Sequence, residues 1–403
     1  MRLASRVDRI EPFFVMEVAK RATALLNTPM CDPAQGGRRM LFLNIGEPDR
    51  TACERVQAAA QAAIAQGQTA YTAATGLPAL RRAISGWYAQ RFGVDVDPGR
   101  IIVTAGASAA LQLAMLALVE PGDEVICPDP SYPCNRHFVT AAGGHAKLVA
   151  TSAAQRYALT AQQLSEHWSP SVRGVLLASP SNPTGTSIDP AELAALVQAC
   201  RARGGWTVVD EIYLGLSYDA RYGQTALALG EDIISVNSFS KYFGLTGWRL
   251  GWLVVPPAAV AAVERLAQHL YICASTVAQR AALACFEPES LREYEQRRGE
   301  FQRRRDYIVP ALGQIGWPVP VEPDGAFYAW MHTGDIAPDS SDLCLQLMHQ
   351  AQVTLTPGQD FGPASARDHV RLSFASSLPD LKEAIARMAA VDHALLRQPW
   401  TPA

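Results

Sequence analysis

"SFSKYFGLTGWRLG", residues 238–251, carries a single lysine, Lys241, among small and apolar residues. A surface lysine normally has charged neighbours; here the nearest charge downstream is Arg249. The stretch lies between "DIISVNS" (232–238) and "RLGWLVV" (249–255), two runs apolar enough to be buried strands. Similar runs recur upstream at "RIIVT" (100–104), "DEVICP" (123–128), "RGVLLAS" (173–179) and "WTVVD" (206–210). Helical patterns separate them over about 107–119, 133–142 and 189–203, the last with Asp189 as N-cap and Pro190 at the first helical position. Continuously apolar strands alternating with helices describe a mostly parallel sheet covered on both faces. This α/β domain spans roughly residues 46–289.

Beyond "FEPES" the texture changes. Residues 289–309 read as a charged helix, and short strands follow at "AFYAWMH" (326–332), "VTLTP" (353–357) and "HVRLSF" (369–374). They describe a smaller α+β domain, residues 290–403, which the N-terminal segment 1–45 is expected to join. At 403 residues with 49% hydrophobic and 18% charged, the chain can bury a sizeable core. A net charge of −3 gives no reason to expect nucleic acid or an anionic membrane as partner, and "RRGEFQRRR" reads as a solvated helix face because glutamates accompany its arginines. The N-terminus lacks the apolar core of a signal peptide, and "AALQLAMLALV" is too short to span a bilayer. The 8 cysteines are scattered without a CxxC pair, which suits buried free thiols in the cytoplasm rather than a disulfide or zinc framework.

Ligands of such sheets bind outside the carboxyl ends of the strands. After "RIIVT", Gly106 lets the chain turn, and the N–H groups of Ala107 and Ser108 open a helix, a place suited to phosphate or to tight packing alone. After "RGVLLAS", Asn182 precedes Pro183 in an extended turn open to a cis bond. Asp210 closes "WTVVD", where a buried carboxylate is costly without a cation or a capping role. Lys241 stands at the same edge. Apolar surroundings favour the neutral amine, the form that attacks a carbonyl, and Arg249 can grip an anion. Phosphate, carbonyl and a ring cation for Asp210 together describe pyridoxal phosphate.

At this point the sequence resembles the class I/II aminotransferases of pyridoxal-phosphate fold type I. Besides the opening stretch, the resemblance rests on "PFFVMEV" (12–18), "NIGEPD" (44–49), "AYTAATGLPALRRAI" (70–84), "TAGASAAL" (104–111), "DPSYPCN" (129–135), "SNPTGT" (181–186), "DEIY" (210–213), "PDGAFYAW" (323–330) and "VRLSFA" (370–375), in that order over nearly the whole chain. It implies a seven-stranded, mostly parallel sheet between helices in the large domain. It implies that Lys241 forms a Schiff base with the cofactor and then shuttles a proton, and that Asp210 keeps the pyridine nitrogen protonated. Asn182 and Tyr213 would hydrogen-bond the ring's O3′, and Tyr132 would stack on its face. Ala107, Ser108, Ser238 and Arg249 would hold the phosphate, joined by Tyr71 from the neighbouring subunit of a homodimer with shared sites. Arg371 would clamp the substrate carboxylate beside the Gly46 backbone and Asn182. Residues near Phe14, Ile45 and Trp330 are candidates for the side-chain pocket, with core packing as the competing reading for each.

The expected reaction is a ping-pong transfer of the amino group from an L-amino acid to a 2-oxo acid. Some aspartate-preferring relatives place a lysine in the phosphate loop where this chain has Ser108, and no second cation for a distal carboxylate is evident, which favours a neutral or apolar donor. The same residues would also serve a carbon–sulfur lyase or other β-eliminating enzyme. A cofactor-binding regulator would need a DNA-binding module, for which the region before the cofactor fold leaves no room. A nicotinamide-binding fold is disfavoured because no GxGxxG follows the first strand.

Overall fold

The computed structural model describes residues 1–400. These form twelve strands: β1 (Leu41–Phe42), β2 (Ile101–Thr104), β3 (Glu124–Asp129), β4 (His145–Ala150), β5 (Val172–Ala178), β6 (Trp206–Asp210), β7 (Ile234–Ser238), β8 (Gly251–Val254), β9 (Tyr328–His332), β10 (Val353–Thr354), β11 (Thr356–Pro357) and β12 (His369–Ser373). Seven of them make one sheet in the order β2-β8-β7-β6-β5-β3-β4. All neighbours in it are parallel except the two pairs made by β8.

The apolar runs arise because successive residues serve opposite faces. In β5, Leu176 packs with Leu111, Val208 and Val236 on one side, while Val175 and Leu177 pack with Leu193, Leu196 and Val209 on the other. Both faces are dry, so no polar alternation survives. The strand of this sheet missed by sequence pattern is β4. It is an edge strand with only Val149 buried, so "HAKLVA" lacks the apolar run that marks its neighbours. Asp189 caps the Pro190–Arg201 helix by accepting from Ala191 N.

The helix expected over 289–309 extends over Pro288–Gln314 and passes through Pro310. Its arginines are held by glutamates one turn away, Arg298 by Glu295 and Arg304 by Glu300. The two ends of the chain meet: β1 pairs in parallel with β10, Leu41 opposite Val353. β11, β12 and β9 form a three-stranded antiparallel sheet in which Arg371 lies opposite Trp330.

Leu177 is fully buried in central β5. Leu177→Ala should cost about 2–5 kcal/mol of unfolding free energy by denaturant titration. A loss under about 1 kcal/mol would show that this face of the sheet is not the close-packed layer described.

Candidate active site

The opening stretch folds into a compact return. Phe239 N donates to Leu250 O at 3.0 Å and Leu245 N to Phe239 O at 2.9 Å, so the ends of the loop close on each other. Ser238 Oγ accepts from Ser240 N at 3.0 Å and tightens the turn before the lysine. Phe239, Phe243, Leu245 and Leu250 are fully buried in the core. Their packing leaves Lys241 to face a cavity of about 420 Å³. The apolar neighbours of the lysine are thus the anchor of its loop.

The cavity lies where the carboxyl ends of β2, β5, β6 and β7 converge, as expected for a doubly wound sheet. Lys241, Asp210, Asn182 and Tyr213 all line it, and so do Ala107, Ser108, Ser238 and Arg249. Tyr132, Gly46 and Arg371 complete the set brought from the rest of the chain. Tyr71 stands apart, 79% exposed on the surface. Ile45 lines the cavity, but Phe13 rather than Phe14 contributes the aromatic wall. Trp330 is also displaced from its expected role: it sits further along β9 and stacks on His369 at 5.1 Å.

Lys241 Nζ donates to Gly46 O at 2.6 Å. Burial, with Arg371 and Arg249 nearby, lowers its pKa from 10.5 to about 8, against the opposing pull of Glu47. Burial raises the Asp210 carboxyl to about 7, opposed by an N–H from Ile212. That N–H, 3.1 Å from Oδ1, is the one hydrogen-bond donor to the carboxylate among the described residues. The next residue makes a contrast. Glu211 points away from the cavity, and its carboxylate accepts from Thr225 Oγ1 at 2.8 Å, Ala226 N at 2.6 Å and Ser235 Oγ at 2.6 Å. One acid of "DEIY" is satisfied by the fold; the other lines the cavity together with Lys241.

Two cations complete the electrostatics. Gly106, at φ +87°, brings the chain so close to Arg249 that a Cβ would lie 2.6 Å from Nη2. The guanidinium therefore sits against the N-terminus of the Ala107–Leu118 helix, and the two together make a positive cradle. Arg371 is 3% exposed and donates to Asn182 Oδ1 at 2.7 Å and Asn44 O at 2.6 Å. Its Nε has no partner among the described residues. A buried guanidinium held only by neutral oxygens is suited to an incoming carboxylate.

Pattern reading of the sequence assigned no role to Tyr328, Glu47 or the wall formed by Phe13, Val15, Met16 and Ala19, all of which line the cavity. The Tyr328 hydroxyl is 2.6 Å from that of Tyr213, and its ring lies 4.4 Å from the Arg371 guanidinium. Gly46 accommodates it: a Cβ there would lie 2.2 Å from the Tyr328 hydroxyl oxygen. "PDGAFYAW" contained the signal, but an aromatic in a buried strand is indistinguishable from core by pattern.

Fold and site define an enzyme built around a buried lysine, an anion cradle and a carboxylate awaiting a cation. The chain belongs to the class I and II aminotransferase family: the sequence profile "Aminotransferase class I and II" matches residues 38–388. It is 37% identical over 388 residues to a valine–pyruvate aminotransferase of Mycobacterium tuberculosis, covering 96% of this chain and 97% of that one. Among solved structures, an aminotransferase from Mycobacterium tuberculosis superposes with TM-score 0.91 at 36% identity, over 97% of this chain and 98% of that one. The aspartate aminotransferase from Thermus thermophilus with maleate superposes with TM-score 0.89 at 32% identity, over 96% and 99%. The protein is a transaminase of fold type I. Its family uses pyridoxal phosphate, and the residues fit that group: the helix N-terminus with Arg249 matches a phosphate, and unpaired Asp210 matches a pyridinium.

The lowered lysine pKa has a measurable consequence. Protonated below pH 8 and neutral above it, Lys241 should attach pyridoxal phosphate to apoprotein with a rate that rises through about pH 8. At pH 8 an ordinary lysine is neutral roughly 0.3% of the time, so Lys241 has roughly a hundredfold advantage in reactive amine. Stopped-flow absorbance across pH 6–11, roughly spanning both midpoints, reads the profile. A midpoint near 10.5 would contradict the burial effect.

Proposed function

We propose that this transaminase moves the amino group of a neutral or apolar L-amino acid to a 2-oxo acid by a ping-pong mechanism, with pyridoxal phosphate held covalently on Lys241. The observation that carries the substrate class is an apolar wall in the cavity that Arg371 also lines. Phe13, Val15, Met16, Ala19 and Ile45 form it. All five are apolar, and the cavity's cations, Lys241, Arg249 and Arg371, each have another task. A distal carboxylate would be desolvated there without a partner, a cost of several kcal/mol. The valine–pyruvate activity named for one relative agrees with this reading, while the aspartate enzyme shows that the family also includes dicarboxylate chemistry.

Each residue then has a stated task. Arg371 orients the substrate through its α-carboxylate, with Asn182 bracing the guanidinium. Bound pyridoxal phosphate supplies an electron sink for charge at the substrate Cα. Asp210 holds a proton on the ring nitrogen, and its raised pKa falls back once that cation is beside it. Asn182 and Tyr213 would hold the ring oxygen, Tyr132 would lie against the ring, and Ala107, Ser108, Ser238 and Arg249, which line the same cavity, would hold the phosphate. Lys241 Nζ, neutral near pH 8, takes and returns the Cα proton. One cavity with one carboxylate clamp serves both substrates in turn, which is the physical basis for a ping-pong order.

We infer two domains, 46–289 and 1–45 with 290–403, supported by the pairing of β1 with β10. The cytoplasm is the proposed compartment, supported by eight free cysteines. A homodimer is proposed because Tyr71 projects from the surface, outside its own cavity. There it is free to reach a neighbour's phosphate.

A half-reaction screen tests the substrate class. Each amino acid is added to loaded enzyme and loss of the absorbance of the lysine-bound cofactor is followed. Valine, leucine or alanine should react at least about tenfold faster than aspartate in kcat/KM, a gap of about 1.4 kcal/mol. The reverse ranking would sink the proposal. Release of ammonia and pyruvate without an acceptor would instead identify a β-eliminating enzyme.

Dimer sharing has its own test. Tyr71→Ala and Lys241→Ala subunits, each inactive alone, are mixed after dissociation. A mixed dimer holds one site with both lesions and one with neither. Statistical exchange makes about half the dimers mixed, so roughly a quarter of wild-type activity should return. No recovery despite demonstrated exchange would place Tyr71 in its own subunit's site.

A further inference from the structure

The apolar wall is largely the first turns of the Phe14–Leu25 helix. This helix has no capping side chain of its own: Phe13 stands at the N-cap position. Only Val15, Val18 and Ala22 are buried, and Met16 is 61% exposed. Twelve residues with so little packing make a marginal helix in water. Its free N–H groups are taken up from far away in the chain. Asp360 Oδ1 accepts from Phe14 N at 3.0 Å and Oδ2 from Val15 N at 3.2 Å. Asp360 is 1% exposed. A carboxylate is retained there because it meets two N–H donors and the positive end of a helix.

The same carboxylate lies one residue from Phe361, whose ring is 4.9 Å from the Arg371 guanidinium. A second link runs in parallel. Asn44 Nδ2 donates to Val15 O at 3.2 Å, while Asn44 O accepts from Arg371 Nη2 at 2.6 Å. Arg136 ties the approach to the helix, donating to Asp360 O at 3.3 Å and pairing with Glu11 at 2.9 Å. The wall that would touch the substrate side chain is therefore registered against the arginine that would bind the substrate carboxylate.

We propose that Asp360 is a specificity-positioning residue: by accepting the first N–H groups of the Phe14–Leu25 helix it holds the apolar wall at a set distance from Arg371. It touches neither substrate nor cofactor. Its effect is to set the size and shape of the space for an apolar side chain, so donors that fill this space gain from it and donors too small to reach the wall do not. This rests on the apolar-donor reading above and names the residue that enforces it.

The test compares wild type, Asp360→Ala and Asp360→Asn as holoenzymes. Asparagine is isosteric and keeps one acceptor oxygen, so it should fall between the other two. In the alanine variant kcat/KM for leucine or valine should drop about tenfold or more relative to alanine as donor, mainly through KM, because the ground-state and transition-state contacts to the wall are lost together. Cofactor affinity, read from absorbance titration, should stay within about threefold, since loss of a remote positioning contact leaves the phosphate and ring partners in place. Hydrogen exchange by mass spectrometry should accelerate in the peptide covering residues 14–25 and not in the 107–118 helix. If the alanine variant does not fold, the asparagine variant decides alone.

Equal loss for all donors, or unchanged exchange at 14–25, overturns the positioning role even if wild type prefers apolar donors. A wild type that prefers aspartate overturns the apolar-donor reading instead, so the two failures are told apart.

Discussion

A carboxylate buried at the end of a parallel strand, with one N–H donor and a buried lysine in the same cavity, is the constraint around which this molecule is organised. Asp210 closes β6 at the centre of the sheet, and burial lifts its pKa to about 7. Leaving it there costs stability unless a cationic ligand joins it. Lys241, also displaced by burial, carries the complementary penalty: below pH 8 its charge is held against its surroundings. Both costs are ones that a protonated ring and a reactive carbonyl would relieve. The same burial that displaces both groups suits the site to a cationic ring and a carbonyl.

Those two residues can be strained only because the scaffold beneath them is not. The sheet is dry on both faces, and the loop bearing Lys241 is pinned by Phe239, Phe243, Leu245 and Leu250. Glu211 shows how the fold treats a carboxylate it uses for structure, giving it three donors from one loop and a strand. The neighbouring peptide units of Asp210 and Glu211 send their side chains to opposite faces, and this alternation separates a structural acid from an acid facing the site.

The proposed substrate clamp is assembled across the boundary between the sheet and the chain termini. Arg371 on β12 reaches Asn182 after β5 and Asn44 after β1. Tyr328 on β9 meets Tyr213 after β6. Asp129, at the end of β3, accepts from Ala364 N at 3.0 Å. Contacts of this kind join residues hundreds of positions apart, so movement of the terminal part against the sheet would alter clamp, phenol pair and apolar wall together.

The sequence by itself determined the sheet, the helices between its strands and the residues gathered around one cavity. Buried parallel strands leave an apolar run, turns at their carboxyl ends leave Gly, Pro and Asn, and a lone lysine or aspartate among them is conspicuous. Lys241, Asp210, Asn182 and Arg249 were legible for that reason. β4 was not, because an exposed edge strand need not be apolar. Nor was the partner of Asp360, since a helix capped from 346 residues away leaves no local signature where a capping residue would stand. Phe13 in place of Phe14, and Tyr328 in place of Trp330, turned on which side of a helix start or which step along a strand faces the cavity. Such choices are made by packing between segments distant in sequence. Local pattern records which residues are apolar, and only the folded chain decides whether an apolar residue meets the core or the substrate.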